Sequence, residues 1–180
     1  ISSGSFDEIF FFDDGNPQQF VVGSTEDLLK AHGEFDGVVV AIGDNTIRRD
    51  KYELLRDSGV SIATVVHSSA VIATSAVLSA GCVVFAGTVV NPDVRIAENS
   101  ILNTRCVVDH DCILESSVHI GPNVALGGGV QLGIRSWIGI GATVKHGVSI
   151  GANVLIGAGA VVVKDISEPG IYAGVPSRQL

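Results

Sequence analysis

The chain has 180 residues, which allows one sizeable domain or two small ones. Hydrophobic residues make up 46% of it, but only 6% of the chain is aromatic and 22 residues are glycine, which suits a β architecture of thin, repeated aliphatic layers. A net charge of −8 provides no basic surface to neutralise phosphates, so nucleic acid is excluded as a partner.

No apolar run reaches the roughly 18 to 20 residues that a membrane-spanning helix needs, and no charged segment followed by an apolar one opens the chain. Three cysteines without local pairing fit a reducing compartment. We therefore expect a cytoplasmic protein without membrane insertion.

The front of the chain contains three strand patterns. FDEIFFF (6–12) and GVVVAIG (37–43) are typical of buried parallel strands, and VSIATVV (60–66) predicts a last strand that leads into the following region.

Two helix patterns alternate with these strands. They are TEDLLKAH (25–32) and NTIRRDKYELLRDSG (45–59), the second with Asn45 as N-cap and Gly59 as stop signal. The alternation predicts an α/β, Rossmann-like domain over residues 1–65, joined without a flexible linker to a second domain over residues 66–180.

The second region has a repeat of six residues. Aliphatic residues occupy seventeen consecutive positions of this period: Val66, Ile72, Leu78, Val84, Val90, Ile96, Leu102, Val108, Leu114, Ile120, Leu126, Leu132, Ile138, Val144, Ile150, Ile156 and Val162. Four residues after each of them stands a small or β-branched residue. Such a period fits neither a helix nor a simple alternating strand, but it fits a prism whose flat faces are short parallel strands joined by tight corners.

Three hexapeptides make one coil of this prism. The aliphatic residue and the small residue four positions later point inward and stack on their equivalents at about 4.8 Å, the spacing of adjacent strands. The pattern resembles the hexapeptide-repeat, left-handed parallel β-helix, and the resemblance implies the handedness, which is an exception to the right-handed crossover rule.

The three cysteines fall in the inward small-residue slot of this register. Cys82, Cys106 and Cys112 each follow an aliphatic position by four residues, so we expect buried thiols that pack as small hydrophobic residues. Burial opposes the thiolate, which argues against a covalent acyl-cysteine route.

His110, in the stretch VVDHDC (107–112), lies at a corner or outward position because it follows Val108 by two residues. Residues at intervals of 18 share its slot and form a column along one edge of the prism, with a glycine between two histidines: Pro92, His110, Gly128, His146 and Lys164. His110 is therefore a surface residue, a metal ligand or a catalytic base.

The metal interpretation is the weakest of the three. Hexapeptide prisms carry the zinc sites of gamma-class carbonic anhydrases, but His110 and His146 would be roughly 10 Å apart, too far to share an ion. Gly151 stands where a third histidine would follow. We expect no metal site.

A catalytic base is the favoured interpretation. Acyl transfer from a thioester to an amine or hydroxyl requires removal of one proton, and histidine suits this near neutral pH. Asp109 or Asp111 could orient the ring and stabilise its charged form. A backbone N–H near the column, at Gly128, could meet the developing oxyanion.

Nearly the whole chain resembles a known group of bacterial sugar acyltransferases, the sialic-acid O-acetyltransferase-like proteins and the N-acetyltransferases of nucleotide-linked 4-amino-sugars. The segments that carry the resemblance are FFFDDG (10–15), VAIGDNTIRR (40–49), SILNTRCVVDHDCILESSVHIGPNVALGGGV (100–130), WIGIGATV (137–144) and IYAGVPSR (171–178). It implies a nucleotide-sugar-binding α/β domain, an acetyl-CoA-dependent β-helix and a homotrimer with active sites between subunits.

The resemblance also implies catalytic and acceptor residues. His110 becomes the general base and Asp111 the acid that modulates it. Asn103 would lie near the amino-sugar, and Asp13, Asp14 and Gly43 would hold the nucleotide-sugar.

For the acetyl-CoA groove, the resemblance implies a second set of residues. His119, Ile140 and Ala158 would line the groove. The position of Gly128 in the column, and not the resemblance, suggests that its backbone N–H contributes beside the acetyl group. Lys164 and Arg178 would supply cations for the CoA phosphates.

One departure lies at the front, where related sequences have a first strand and a glycine-rich GGH-like loop and this chain has ISSGSF (1–6). The domain is therefore expected to lack its first strand and helix. Acetyl transfer to the amine of a nucleotide-linked amino-sugar is the favoured function. The alternatives are O-acetylation of a sugar or sialic acid, and a non-catalytic scaffold or metalloenzyme on the same prism.

Overall fold

A computed structural model describes residues 7–15 and 18–180. The segment ISSGSF, on which the expected loss of the first strand and helix rests, lies outside the described residues. Among the described residues, no helix is long and apolar enough to cross a membrane.

In the front of the chain, residues 7–15 and 18–64 contain two short parallel strands and two helices. The strands are β1 (Phe11–Phe12) and β2 (Val21–Gly23), and the helices are α1 (Thr25–Ala31) and α2 (Asn45–Asp57), with a single 3-10 turn at His32–Glu34. α1 begins with a capping box, in which Ser24 and Asp27 satisfy each other's backbone N–H groups. The prediction of two helices is confirmed.

The predicted strands of this region are shorter than expected. Segment 37–43 makes only a single parallel bridge, Val38 to Ile62. The end of segment 60–66 forms β3 (Val65–Val66), which pairs with the β-helix instead, since the N–H of Val65 bonds to the carbonyl of Cys82. Strand ladders therefore develop where a neighbouring coil supplies partners, and only briefly elsewhere.

The N-cap of α2 is Asp44, and the prediction of Asn45 was wrong. The Asp44 carboxylate accepts the N–H groups of Thr46 and Ile47, both at 2.9 Å. Asn45 begins the helix itself and turns its side chain towards the β-helix. The predicted stop is confirmed, because Gly59 takes the left-handed conformation after the last turn.

The rest of the chain is a β-helix of two- to four-residue strands, which are parallel except for the last. Its strands are β3, then β4 (Val71–Ile72), β5 (Val77–Leu78), β6 (Val83–Val84), β7 (Val89–Val90), β8 (Arg95–Ile96), β9 (Ile101–Leu102), β10 (Val107–Val108), β11 (Ile113–Leu114), β12 (His119–Ile120), β13 (Ala125–Leu126), β14 (Gln131–Leu132), β15 (Trp137–Ile138), β16 (Thr143–Val144), β17 (Ser149–Ile150), β18 (Val154–Ile156), β19 (Val161–Val162), β20 (Gly170–Ala173) and β21 (Arg178–Gln179).

These strands form three faces of a prism. Face 1 contains β3, β6, β9, β12, β15, β18, β20 and β21; face 2 contains β4, β7, β10, β13, β16 and β19; face 3 contains β5, β8, β11, β14 and β17. From β3 to β19, adjacent strands on a face pair in parallel with a register of 18 residues, as Val107 with Ala125. At the end of face 1, β20 pairs with β18 at a register of 16 residues, and β21 pairs with β20 antiparallel. The predicted coil of three hexapeptides is confirmed. We call the edges corner 1–2, corner 2–3 and corner 3–1 after the faces they join.

As predicted, two residues of each hexapeptide point into the prism, the aliphatic residue and the small residue four positions later. From Val84 to Val162 the aliphatic positions are at most 2% exposed, and the three cysteines in the small-residue slot are fully buried. Burial raises the pKa of Cys112 to about 11, which keeps the thiol protonated at neutral pH. A second, smaller core lies between the helices and segments of the front region, around Leu28, Tyr52 and Leu55.

Close stacking of the coils demands glycine at several corners. A Cβ at Gly139 would lie 2.5 Å from the carbonyl oxygen of Ile156 in the next coil, where only backbone could yield. Gly139→Ala should therefore lower the stability of the β-helix by about 1–3 kcal/mol, as overpacking does. Gly33→Ala is the matched control, because a Cβ there would meet nothing within 4 Å. Urea unfolding measures both; equal midpoints for the two variants would contradict the stacking argument.

Candidate active site

His110 and Asp111 lie in corner 2–3, between β10 and β11. The inward residues on either side, Val108 and Cys112, are fully buried and fix the corner in register. The side chains of His110 and Asp111 remain 60% and 66% exposed. Asp111 has a φ of 60°, in the left-handed region that Asp and Asn tolerate better than most residues.

The imidazole of His110 bonds to the carboxylate of Asp111, with Nδ1 and Oδ2 2.7 Å apart. A carboxylate is an acceptor only, so the proton belongs on Nδ1, and Nε2 on the opposite side of the ring carries the lone pair. This hydrogen bond, and then the charge of Asp109, raise the pKa of His110 above its ordinary value. The arrangement is that of a base oriented by an acid.

Asp109, the other candidate partner, is occupied elsewhere. Its Oδ1 accepts from the side-chain amide of Asn91 at 2.7 Å and from the backbone N–H of His110 at 2.9 Å. These hydrogen bonds lower the pKa of Asp109. Asp109 thus orders the corner, while Asp111 holds the ring.

Gly128 lies one coil beyond His110 in the same column, and the ring packs directly over it. A Cβ at Gly128 would lie 2.6 Å from both Cε1 and Nε2 of His110, so any other residue would displace the imidazole. The backbone N–H of Gly128 helps to lower the pKa of Asp109. His146 follows in the next coil, where the backbone of Gly127 leaves room for it.

His119 and Asn103 meet on face 1 and the neighbouring corner 1–2. The Asn103 amide is oriented by its Oδ1, which accepts the N–H of Thr104 at 2.8 Å, so its Nδ2 faces Nε2 of His119 at 3.3 Å. Nε2 is therefore the acceptor, and the proton of His119 is on Nδ1. The ring is 7% exposed and stacks on Trp137, with 4.9 Å between centroids and 10° between planes.

Burial, and then the charge of Arg48, lower the pKa of His119 to about 4. The ring is consequently neutral at physiological pH. The backbone of Gly43 acts to raise the pKa of the ring. The buried Nδ1 nevertheless completes no hydrogen bond with the described residues. His119 therefore sits where the loop before α2 meets the β-helix.

Ile140 and Ala158 stack in successive coils of corner 1–2. The glycines before them allow this stacking, because a Cβ at Gly139 would lie 2.9 Å from the N–H of Ala158. Ile140 is 54% exposed. Corner 1–2 borders face 2 on the side opposite to His110, so one chain does not bring these residues to the His110 ring.

The two expected cations lie at the end of the β-helix. Lys164 is exposed in corner 2–3, in the column of His110, and Arg178 is exposed in β21. Arg178 donates to the carbonyl of Ser177 at 2.8 Å.

Asp13 and Asp14 follow β1 in the front region. The carboxylate of Asp14 accepts from Lys51 at 2.7 Å and from both the N–H and the hydroxyl of Thr25. These bonds lower the pKa of Asp14 to about 2. Asp13 accepts the N–H of Gly15 at 2.7 Å. The loop is thereby fastened to both helices.

The structure adds residues to which the sequence interpretation gave no part in the site. Trp137 stacks on His119, Asn91 holds Asp109, and Arg48 and Asn45 connect α2 to the β-helix. The spacing Asn45, Arg48, Tyr52 and Leu55, three or four residues apart, was a signal that two polar residues lie on the buried face of α2. Among residues 7–15 and 18–180, no three His, Cys, Asp or Glu side chains are grouped so as to hold a metal ion.

One segment of the front region and one segment of the β-helix each match a known family. Residues 1–55 match the PglD N-terminal domain, and residues 129–164 match the bacterial transferase hexapeptide family of six repeats. No curated protein sequence matches the chain.

Several solved structures are similar over most of the chain. PerB from Caulobacter crescentus, in complex with CoA and GDP-perosamine, is 39% identical with a TM-score of 0.90, over 95% of this chain and 84% of that one. A variant of perosamine N-acetyltransferase from the same organism, also with CoA and GDP-perosamine, is 41% identical with a TM-score of 0.86, over 89% and 77%.

The acetyltransferase domain of PglB from Neisseria gonorrhoeae FA1090, in complex with acetyl coenzyme A, is 37% identical with a TM-score of 0.93, over 98% of this chain and 88% of that one. The α/β front region, the hexapeptide β-helix and these sequence identities all indicate the same family. The chain belongs to the family of bacterial hexapeptide-repeat sugar acyltransferases that includes the perosamine N-acetyltransferase and the PglB acetyltransferase domain.

Proposed function

We propose that the protein transfers an acetyl group from acetyl-CoA to the amine of a nucleotide-linked amino-sugar, in bacterial surface-glycan biosynthesis. The observation that carries this proposal is the exposed His110–Asp111 pair, which provides an oriented base at the corner of a β-helix. The similar structures support it, because they contain CoA or acetyl-CoA and, in two of them, GDP-perosamine. Acetyl-CoA and activated sugars are cytoplasmic metabolites, so we place the protein there.

The reaction follows from the tautomer of His110. The amine nitrogen of the sugar attacks the thioester carbonyl carbon, a C–N bond forms, and Nε2 of His110 takes the proton that the amine loses. The C–S bond then breaks, and CoA leaves as a thiolate that takes up a proton. Asp111 stabilises the imidazolium formed in between. No covalent cysteine intermediate is required, since the thiols are buried and protonated.

The remaining site residues divide between donor and acceptor. On the acceptor side, we assign Asp13, Asp14 and Gly43 of the front domain, residues 1–65, to the nucleotide-sugar, with Asn103 near the amino-sugar.

On the donor side, His119, Ile140 and Ala158 line the acetyl-CoA groove, and Lys164 and Arg178 lie near the CoA phosphates. Gly128 makes room for the imidazole of the base.

The complete site requires neighbouring subunits, and we propose a homotrimer. The outward column of face 2 is apolar in all but one position: Val71, Val89, Val107, Ala125, Thr143 and Val161. An apolar sheet face of this extent favours association. His110 borders one edge of this face and Ile140 the other, so packing of face 2 against another subunit joins base and groove from different chains.

His110→Ala should lower kcat for acetyl transfer by about 10²–10⁴-fold, because the proton acceptor is lost. Release of free thiol from acetyl-CoA, with a nucleotide-linked amino-sugar as acceptor, measures the rate. His146→Ala, in the same column, is the matched control and should be active. Near-wild-type turnover of folded His110→Ala would refute the assignment.

The same assay distinguishes the acceptor classes. A matched nucleotide-sugar with a hydroxyl in place of the amine should not release thiol. Turnover with the hydroxyl acceptor only would favour O-acetylation, and a protein that binds no CoA by calorimetry would be a scaffold or metalloenzyme.

Asp111→Asn should shift the acid limb of the pH profile of kcat/KM to lower pH. The Asp111 carboxylate raises the pKa of His110, and His110 must be unprotonated to act as a base, so loss of that charge extends activity to lower pH while reducing the plateau. Asp93→Asn is the control, because Asp93 occupies the same left-handed slot one coil earlier. An acid limb that stays in place or moves to higher pH would contradict the pairing.

Val89→Asp should convert the trimer to monomers, because it places a charge in the outward column of face 2. Val77→Asp, on the outward column of face 3, should leave the trimer intact. Light scattering coupled to size-exclusion chromatography gives both masses. A trimeric Val89→Asp protein would show that another face forms the interface.

A further inference from the structure

Arg48 is a buried arginine to which no carboxylate of the described part of the chain is bonded. Its side chain, on the inner side of α2, is 1% exposed. Burial lowers its pKa to about 10, opposed by the more distant charge of Asp44, so the guanidinium stays charged at neutral pH. A buried charge of this kind is costly unless its hydrogen bonds are fully satisfied.

All five N–H groups of Arg48 are used. Nε donates to the carbonyl of Asn99 at 3.0 Å, and one terminal nitrogen donates to the carbonyls of Ile42 and Gly43, both at 3.1 Å. The other terminal nitrogen donates to Oδ1 of Asn45 at 2.8 Å and to the carbonyl of Ser117 at 2.9 Å. An arginine offers five N–H donors in a rigid fork, and here each has an acceptor.

The acceptors belong to two separate parts of the protein. Ile42 and Gly43 form the loop before α2, whereas Asn99 and Ser117 are equivalent left-handed residues in successive coils of corner 3–1. The carbonyls of Asn99 and Ser117 are available because the hydrogen bonds between coils use the carbonyl of the residue before each of them. The N–H of Ser117, for example, bonds to the carbonyl of Glu98, the residue before Asn99.

Asn45 extends the same contact to a third coil. Its Nδ2 donates to the carbonyls of Arg135 and Ser136, at 2.9 and 3.2 Å. The first turn of α2 is thus hydrogen-bonded to three consecutive coils. We call Asn45 and Arg48 the α2 clasp.

His119 lies next to this contact. Ile101 and Trp137 flank it on the neighbouring strands of face 1, and Asn103 bonds to its Nε2 from corner 1–2. From the front region, the Gly43 loop and Arg48 act on the ring. Among the residues that the structure describes, Arg48 is the charged group whose electrostatic effect on the His119 ring is resolved.

We propose that Arg48 is a positioning residue for the acceptor: it fixes the Gly43 loop against the β-helix beside His119 and Trp137, so that the nucleotide-sugar is held in line with the acetyl group. This inference rests on the function proposed above. Among the residues assigned to acetyl-CoA, His119 borders the α2 clasp, but its backbone is fixed by the pairing of β12 with β9 and β15. Ile140 and Ala158 lie in corner 1–2, away from the clasp, so loss of Arg48 should affect the acceptor more than the donor. Misplacement of a substrate by about 1 Å can cost roughly 10²-fold in rate.

Three variants separate the roles of Arg48. Arg48→Met removes both the charge and the hydrogen bonds. Arg48→Lys keeps the charge but cannot reproduce the five-donor fork. Arg49→Gln is the matched control, because Arg49 is on the same helix and pairs with Glu53, at 2.8 Å, instead of with the β-helix.

The first readout is the KM for each substrate. Arg48→Met and Arg48→Lys should raise the KM for the nucleotide-sugar by about tenfold or more, the equivalent of one or two lost hydrogen bonds, while the KM for acetyl-CoA stays within about twofold. Arg49→Gln should match the wild type. An equal rise in both KM values, or no rise in either, would overturn the proposal.

The second readout does not depend on activity. Trp137 is the chain's one tryptophan, and protonation of the imidazole stacked on it should quench its fluorescence. In the wild type and Arg48→Lys, quenching should be absent above pH 5, because the pKa of His119 is held near 4. In Arg48→Met the midpoint should move up, because the charge of Arg48 is lost, but it should stay below the ordinary histidine value because burial remains the larger cause.

His119→Gln should abolish this pH-dependent quenching, which would show that the quenching comes from protonation of His119. An Arg48→Met midpoint equal to that of the wild type would show that Arg48 does not act on His119. Because fluorescence needs no substrate, a protein with the expected titration but no acetyl transfer would refute the proposed function and leave the contact between Arg48 and His119 standing. If Arg48→Met does not fold, Arg48→Lys still tests the KM prediction.

Discussion

The hydrogen bonds between successive coils set the position of every side chain in the β-helix. The N–H of Val89 bonds to the carbonyl of Cys106 at 3.0 Å, and that of Val107 bonds to Val124 at 2.8 Å. From β3 to β19, each residue of a strand consequently lies over the one 18 positions later. Because this register is the same on all three faces, a change of one residue in a coil would turn inward side chains outward, and the prism would lose its core.

The site depends on this register in two ways. It places Gly128 directly beneath His110, and that missing side chain makes room for the imidazole. It also aligns the outward carbonyls of Asn99, Ser117 and Arg135 along corner 3–1, where the α2 clasp binds them. The same repeat thus holds His110 at corner 2–3 and the front region at corner 3–1. We expect the acceptor to bind between His110 and the front region.

The sequence predicted the β-helix well because its rule is local and strict. An aliphatic residue every six positions can be read without knowledge of the fold, and the burial of Cys82, Cys106 and Cys112 followed from their place in that period. The front region was predicted less well. Segment 37–43 has the composition of a strand but has a single bridged partner in the structure, and strand pairing depends on neighbours that composition does not reveal.

The site was predictable to the extent that it follows the period. His110 at a corner, with Gly128 in the next coil, could be derived from numbering alone. The choice of Asp111 over Asp109 could not, because it depends on the left-handed backbone at Asp111 and on Asn91, which occupies Asp109. The role of Arg48 was only partly predictable. Its spacing with Tyr52 and Leu55 indicates the buried face of α2, but a charged residue on a helix is exposed far more often than buried, and its acceptors are backbone carbonyls that sequence does not distinguish.

The most direct test of this account is a crystal structure of the protein with CoA and a nucleotide-linked amino-sugar bound together. The account predicts that the amine nitrogen lies about 3 Å from Nε2 of His110, within hydrogen-bond reach. In the same crystal, Asp111 should remain bonded to Nδ1, and a neighbouring subunit should supply part of the CoA groove. An amine bound far from His110, with the imidazole facing only solvent, would contradict the assignment of His110 as the base.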